Sequence, residues 1–153
     1  MKSIYKTLLV VLLLSPLHGA FADTMEILRE KVSTDKKLLI ATNMDLTEAE
    51  EKAFWPIYDS YQRGLAGINQ RVAKLVDDYA TEYVELTLTD EKAGELIGEM
   101  LAIEQSEVDL KKAHLPKLKK ALPNIKVARY LQLENKIRAV IRFDLARGIP
   151  LAN

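Results

Sequence analysis

A hydrophobic seam in the middle of the chain constrains the fold more than any other feature. Its members are separated by alternating steps of four and three residues: Phe54, Tyr58, Tyr61, Leu65, Ile68, Val72, Leu75 and Tyr79. This heptad spacing, held for more than three heptads, puts all of them on one side of an α-helix, where they need a partner helix along their length. The sequence therefore predicts a long helix that ends near Glu85 and packs against another helix.

The start of this helix is marked by a capping box. Thr47 is a good N-cap residue, and Glu50 stands three positions later, so each side chain can satisfy one free backbone N–H. Pro56 then falls inside the helix, where a proline removes a backbone hydrogen bond and costs about 3 kcal/mol. We expect a bend between Lys52 and Pro56, with Trp55 packed near it. The alternative is that the helix begins only at Pro56.

Three further helices are predicted around the long one. The first covers Met25–Ala41, although "STD" at Ser33–Asp35 weakens its middle, so two short helices are an alternative. The third begins after the N-cap Thr89 and bends or ends at Pro116. The fourth follows Pro123, runs to Ala146, and presents a broad apolar face formed by Val127, Tyr130, Leu131, Ile137, Val140, Ile141 and Leu145.

Glycines and connection lengths complete the expected architecture. Gly94 and Gly98 are one helical turn apart, and we expect their small size to permit a close helix contact. Gly148 is the expected left-handed residue after the last helix. Because the connections are short, neighbouring helices should be antiparallel. The predicted fold class is all-α: an elongated antiparallel helical hairpin or bundle of about four helices, with a kinked long second helix.

The N-terminus has the pattern of a secretory signal peptide. Lys2 and Lys6 precede the apolar run Leu8–Leu14, and "AFA" at Ala20–Ala22 fits a signal peptidase site. We predict a signal peptide over residues 1–22 and one exported all-helical domain over residues 23–153. The alternative, a membrane anchor, would need roughly 20 apolar residues. We expect no stable membrane insertion after cleavage, and export disfavours nucleic acid as a partner.

Charge and cysteine content narrow the function further. The chain has no cysteine, so neither a disulfide nor a lipidated cysteine is available. Asp23–Asp109 contains 9 basic and 20 acidic residues, whereas Lys111–Asn153 contains 11 basic and 2 acidic residues. Either the two parts neutralise each other, within one chain or across a dimer, or the polarised surface attracts partners.

No arrangement of residues predicts catalysis. After signal cleavage the only histidine is His114, and none of Ser33, Ser60 and Ser106 has a nucleophile-elbow context. We therefore expect an interhelical or surface histidine, no enzymatic activity, no metal and no cofactor. The acidic pairs of the third helix, such as Glu95 and Glu99, indicate a solvated face.

A polar group interrupts the fourth helix. Arg129, Gln132, Glu134, Asn135, Lys136 and Arg138 lie within "ARYLQLENKIRAV", and Glu134 and Arg138 are spaced for an i,i+4 pair. This pattern is typical of salt bridges on a helix surface. The alternative is a partly buried network that determines how the helix docks.

Two segments carry a resemblance to a known family. "LTEAEEKAFWPIYDSY" at Leu46–Tyr61 resembles the Leu-Thr-x-x-Gln segment of Spy/CpxP-like periplasmic proteins, with Glu50 in place of the glutamine. "LPNIKVARYLQLENKIRAV" resembles the last helix of related small exported proteins. The connection before the third helix, with Leu88 and Thr89 followed by Asp90, matches the motif only in part. The His and Met residues that bind metal in the metal-sensing relatives have no counterpart in this sequence.

The resemblance implies a periplasmic helical protein, often a homodimer, that binds unfolded or partner polypeptides without ATP or serves as an envelope-stress adaptor. The alternative is a sensor or regulatory subunit that binds one membrane signalling partner. Candidate protein-binding residues are Trp55, Tyr58, Tyr61, Lys111, Lys112 and Lys119, although core packing is the favoured role for at least two of the three aromatic residues.

Overall fold

We describe residues 35–152 of the protein from a computed structural model. The predicted signal peptide, its cleavage before Asp23 and the first part of the predicted first helix lie outside the described residues. The chain divides between Leu39 and Ile40. Residues 35–39 of the first unit are helical, and the description that follows concerns the second unit, Ile40–Asn153.

The described part of the chain is all-α, as predicted, and residues 35–152 contain no strand. Helix α1 is described over residues 35–44, α2 covers Glu48–Glu85, α3 covers Asp90–Ala121 and α4 covers Asn124–Gly148. A short connection turns α3 back along α2, and a second turns α4 back along α3. Helix α4 therefore runs in the same direction as α2, with Lys126 beside Glu50 at one end and Pro150 beside Tyr79 at the other.

The predicted capping box begins α2. The Thr47 N–H donates to Glu50 Oε2 at 2.8 Å, and the Glu50 N–H donates to Thr47 Oγ1 at 3.3 Å. The helix continues through Pro56, so the alternative start at Pro56 is wrong. The Lys52 carbonyl has no helical donor, because Pro56 has no N–H. Pro56 and Lys52 are both exposed, so water can reach this carbonyl. The predicted bend stays a prediction.

The heptad seam of α2 faces the core. Its first five members, from Phe54 to Ile68, are buried, and the last three, from Val72 to Tyr79, are half-buried. The core lies where α2 begins and combines side chains from all four helices: Ile40, Met44, Phe54, Tyr58, Tyr61, Leu65, Leu118, Leu122, Val127 and Tyr130. The predicted partner helix for the seam is α3.

The close approach between α2 and α3 occurs at Gly64, and not at the predicted Gly94 and Gly98. A Cβ added at Gly64 would lie 2.5 Å from Leu110 Cδ1, whereas a Cβ added at Gly94 or Gly98 would meet nothing within 4 Å. The two glycines of α3 lie on its exposed side, so the expected packing role for them is wrong.

Helix ends differ from expectation at two places. Helix α3 continues through Pro116 to Ala121, so of the bend or end predicted at Pro116 the end is wrong, and the bend stays a prediction. Gly148 belongs to α4 and has no positive φ, which corrects its assignment as a left-handed cap. Among the described residues a positive φ occurs instead at Leu86, which ends α2 at φ 57°, and at Asp45, which precedes α2 at φ 48°.

Candidate protein-binding surface

The aromatic residues that the sequence offered as binding contacts belong mainly to the core. Tyr58 and Tyr61 are each 3% exposed, so neither can contact another polypeptide while the chain is folded this way, which corrects their assignment. Trp55 is half-buried and stacks edge-on against Phe54, with ring centroids 5.1 Å apart. The core interpretation of Tyr58 and Tyr61 is confirmed, and only Trp55 retains a partly accessible ring.

These aromatic rings join α4 to α2. Tyr130 of α4 is 1% exposed and meets Phe54 edge to face, with centroids 5.1 Å apart. Its ring also lies 6.2 Å from Tyr58 and 6.3 Å from Tyr61. Edge-to-face pairs of this kind each contribute about 1 kcal/mol beyond their buried area. The start of α4 is therefore held by large side chains that reach α2.

A buried carboxyl group lies beside the tyrosines. Glu134 is fully buried and accepts a hydrogen bond from Gln62 Nε2 at 2.9 Å. Burial, and secondarily the charge of Glu134, raises the pKa of Tyr61 to about 12 and raises the pKa of Tyr58 and Tyr130 further. These phenols therefore stay neutral, and their rings contribute apolar packing.

A second buried carboxyl group holds α4 against α3. Glu107 of α3 is 7% exposed and forms ion pairs with Arg138 and with Arg142, the latter at 2.6 Å. Of the polar residues noted in α4, Glu134 and Arg138 thus make buried contacts that dock the helix, whereas the others lie on its exposed surface: Arg129, Gln132, Asn135 and Lys136. The sequence could show the polar residues but could not show that Glu107 meets them.

Two further contacts connect the helices at either end of the hairpin. Lys126 Nζ donates to Glu50 Oε2 at 2.7 Å and to the Asp45 carbonyl at 2.6 Å, so the capping carboxylate of α2 also holds the start of α4. The hydrogen bond with Lys126 is the main cause that lowers the pKa of Glu50.

A further contact joins α2 and α3 closer to the connection between them. Arg71 donates a hydrogen bond to each carboxylate oxygen of Glu99, at 2.8 and 3.1 Å. Glu99 is thus an interhelical partner, which corrects its assignment to a solvated face.

His114 is an interhelical histidine, as expected. It is 7% exposed, and its Nδ1 donates to the Leu110 carbonyl at 2.9 Å. With that tautomer, Nε2 accepts from the Ser60 hydroxyl at 3.4 Å, and the ring packs edge-on against Tyr61. The sequence did not indicate Ser60 as the neighbour, because the two residues lie on different helices. The contact helps to hold α3 on α2.

The three candidate lysines divide into two groups. Lys111 is half-buried, and its Nζ donates to Asn135 Oδ1 at 3.4 Å, so it belongs to the contact between α3 and α4. Lys112 and Lys119 are exposed on the outside of α3. Only these two remain available to a partner.

The most exposed apolar surface of the described chain is the last part of α4 and the residues after it, which we call the terminal segment (residues 139–151). Every residue of the terminal segment is exposed. Six of them are large and apolar: Val140, Ile141, Phe143, Leu145, Ile149 and Leu151. The broad apolar face predicted for the fourth helix is therefore exposed at Val140, Ile141 and Leu145. Val140 and Phe143 project on a different side of the helix from Ile141 and Leu145, a spread around the axis that no single core-facing stripe explains.

Charge is interleaved with these apolar residues. Arg142 pairs with Glu107, and the guanidinium of Arg147 lies 5.7 Å from the centroid of the Phe143 ring. Tyr79 Oη donates to the Pro150 carbonyl at 3.0 Å, which holds the end of the segment to α2. The result is a helix that is fixed at both ends and exposes large apolar side chains on more than one side.

Metal-binding and membrane-spanning features are absent from the described residues. Within 35–152, no group of three or more His, Cys, Asp or Glu residues is arranged to hold a metal ion. None of the helices described is both long and apolar enough to cross a bilayer. In comparisons with known proteins, no family model, no curated protein and no solved structure matched the chain.

Proposed function

We propose that the protein is an exported, non-enzymatic helical protein that binds unfolded polypeptides without ATP, through the terminal segment of α4. The observation that carries this proposal is the exposure of six large apolar side chains along the last part of α4 and the residues directly after it. Contiguous apolar surface of this kind marks sites of protein–protein interaction in soluble proteins.

The chemistry of the terminal segment suits unfolded chains. Its apolar side chains lie on several sides of a helix, so they can contact an extended polypeptide without a preformed cavity. Arg147 lies among them, and an arginine side chain can also bind carboxylates and stack on aromatic rings of a client. We expect weak, sequence-tolerant binding, as suits an ATP-independent chaperone or a stress adaptor of the periplasm.

Export is part of the proposal and rests on the signal-peptide pattern before Asp23. After expression of the full chain in a Gram-negative host, osmotic shock should release a protein whose mass corresponds to a first residue of Asp23. Recovery of uncleaved chain in the cytosol would contradict the export proposal without affecting the binding proposal.

The binding proposal is tested by aggregation of a denatured substrate, followed by light scattering without ATP. The secreted protein should suppress scattering at near-stoichiometric ratio. A Val140→Ser/Phe143→Ser variant should lose most of this effect, since both residues are more than 60% exposed and their replacement leaves the core intact.

The matched control is Val84→Ser/Ile125→Ser, which removes two equally exposed apolar residues elsewhere and should keep the activity. Circular dichroism checks that all variants are helical. If the folded protein suppresses nothing, the general chaperone function is excluded, and saturable binding of one dedicated signalling partner becomes the function to test.

A further inference from the structure

An open pocket lies where the end of α1 meets α4, away from the terminal segment. It has a volume of about 310 Å³, and the described residues that line it are Asn43 of α1 and Arg129, Gln132, Leu133 and Lys136 of α4. Ligand pockets in proteins occupy about 300–1,000 Å³. The pocket therefore has room for a small molecule, at the lower end of that range.

The spacing of the α4 residues gives the pocket its shape. They stand at positions i, i+3, i+4 and i+7, so they share one side of the helix. Arg129 and Lys136 are the outer two, about 10 Å apart along the axis at 1.5 Å per residue. Gln132 and Leu133 lie between them. The pocket thus has a positive charge at each end, with an amide and an apolar side chain in the middle.

The positive charge of the pocket has no acidic counterpart among the described residues that line it. Within residues 35–152, the ion pairs of α4 involve Lys126, Arg138 and Arg142 instead. Arg129 and Lys136 are both exposed to solvent. Two cations on one side of a helix, with no carboxylate on that side, create a positive potential that attracts anions.

We propose that this pocket binds a small linear dicarboxylate, with one carboxylate on Arg129, the other on Lys136 and the aliphatic chain over Leu133. The guanidinium fork of arginine matches the two oxygens of a carboxylate, and the lysine ammonium donates to either oxygen. Leu133 is half-buried and packs on the core, so it offers a fixed apolar surface to methylene groups. The Gln132 amide can donate a further hydrogen bond, and Asn43 limits the pocket on the side of α1.

The separation of the two cations favours a ligand with two anionic groups over a single compact anion. Inorganic phosphate would have to draw both cations toward the middle, and its charged oxygens would then lie against Leu133, which solvates them poorly. A dicarboxylate leaves each cation near its own end of the pocket and covers the leucine with carbon. Phosphate and a monocarboxylate should therefore both bind more weakly.

The ligand class is tested by titrating the secreted protein at low ionic strength and following its backbone amides by NMR, which detects weak binding. Adipate should bind saturably and shift the amides between Arg129 and Lys136. Hexanoate, which has the same chain length and one carboxylate, and inorganic phosphate should each bind about tenfold more weakly, because each loses one charge-assisted contact. The absence of saturable adipate binding in the helical protein, or equal binding of hexanoate or phosphate, would overturn the proposal.

Removal of the two cations tests the site. Arg129→Gln/Lys136→Gln should abolish adipate binding, and because both side chains are exposed the helices should remain intact. The matched control is Arg63→Gln/Lys120→Gln, which removes one arginine and one lysine that are exposed on α2 and α3. This control should bind adipate normally. Equal losses in the two variants would mean that the ligand responds to net charge, which would overturn the pocket.

Gln132→Glu separates loss of binding from damage to the fold. The new carboxylate would stand four residues before Lys136, a spacing that stabilises a helix, and it would occupy the pocket between the two cations. Adipate binding should fall at least about tenfold through like-charge repulsion, while the helical signal and the unfolding midpoint are kept or raised. Unchanged adipate binding in this variant would contradict a ligand placed between Arg129 and Lys136.

The dicarboxylate site and the proposed client binding can fail separately, because the pocket and the terminal segment share no residue. Val140→Ser/Phe143→Ser should bind adipate as the unmodified protein does. Conversely, Arg129→Gln/Lys136→Gln should still suppress aggregation of the denatured substrate. Loss of adipate binding in the Val140→Ser/Phe143→Ser variant would place the ligand on the terminal segment and overturn the pocket.

Discussion

Gly64 is a residue of α2 whose lack of a side chain makes room for α3. Leu110 of α3 occupies the space that a side chain at Gly64 would need, whereas the space around Gly67, three residues later on the same helix, is empty. Substitutions at the two glycines can therefore distinguish the helix propensity of the new residue from its steric conflict with Leu110.

Gly67→Ala should raise the free energy of unfolding by about 1 kcal/mol, because alanine favours a helix over glycine by that amount. Gly64→Ala receives the same benefit but forces Leu110 to move, so it should be less stable than Gly67→Ala by about 1 kcal/mol or more. Urea unfolding followed by circular dichroism measures both. Equal stabilisation by the two changes would show that the helices are farther apart than described.

Leu86 holds a left-handed conformation at the end of α2 while its side chain is 83% exposed. This conformation costs a residue with a Cβ about 1–2 kcal/mol, and glycine avoids the cost. Leu86→Gly should therefore raise the unfolding free energy by about 1 kcal/mol. Val84→Gly, two residues earlier inside the helix, should lower the unfolding free energy. Opposite effects of the two changes would show that the gain at Leu86 comes from its left-handed conformation and not from glycine in general. Urea unfolding measures both.

At the scale of the helices, α4 depends on the ion pairs of Glu107. The Arg138 side chain is 11% exposed and that of Arg142 is 56% exposed, although both pair with the same carboxylate. Removing one partner of a buried pair strands the other charge, whereas an exposed pair contributes little.

Glu107→Gln should cost about 3 kcal/mol of stability, because Arg138 would be left buried without its counter-charge. Arg142→Gln should cost less than about 1 kcal/mol, because water solvates its guanidinium and Arg138 still pairs with Glu107. Thermal or urea unfolding gives both values. Similar losses in the two variants would mean that α4 is docked mainly by its exposed pair.

The sequence predicted features that depend on local chemistry. Thr47 and Glu50 are three residues apart, so their capping box could be read directly, and the seam beginning at Phe54 required a partner. The position of a residue relative to the other helices could not be predicted from such local patterns. Gly64 and Gly94 look alike in the sequence, and only the placement of Leu110 makes one of them a contact. The broad apolar face predicted for α4 has the same limit, because the pattern shows that Val140 and Ile141 are apolar but not what lies opposite them.

For the whole molecule, the three buried tyrosines should make the free energy of unfolding fall at alkaline pH. The raised pKa values of Tyr58, Tyr61 and Tyr130 mean that the folded state favours the neutral phenols. The contribution of this preference to the free energy of unfolding is complete below the ordinary tyrosine pKa of about 10. It is lost as the pH rises through the higher pKa values of the folded state.

In a pH titration, the tyrosinate absorbance of the three buried residues should therefore rise together with the loss of helical signal, at a pH above the ordinary tyrosine pKa. The same titration in urea, where burial is removed, should give a single phase near pH 10. Ionisation of all tyrosines in one phase, with the helices still intact, would contradict the buried positions of these rings.

The position of Tyr130 and Glu134 in α4 has a consequence for how the protein is made. Their contacts with α2 join residues that are 69 to 76 positions apart, so the core stays open until most of the chain has left the ribosome. The nascent chain can form the α2–α3 hairpin early, since its connection is short. Phe54, Tyr58 and Tyr61 then remain uncovered until the last helix emerges, and a protein truncated before Tyr130 would keep them exposed permanently and be prone to aggregation and degradation.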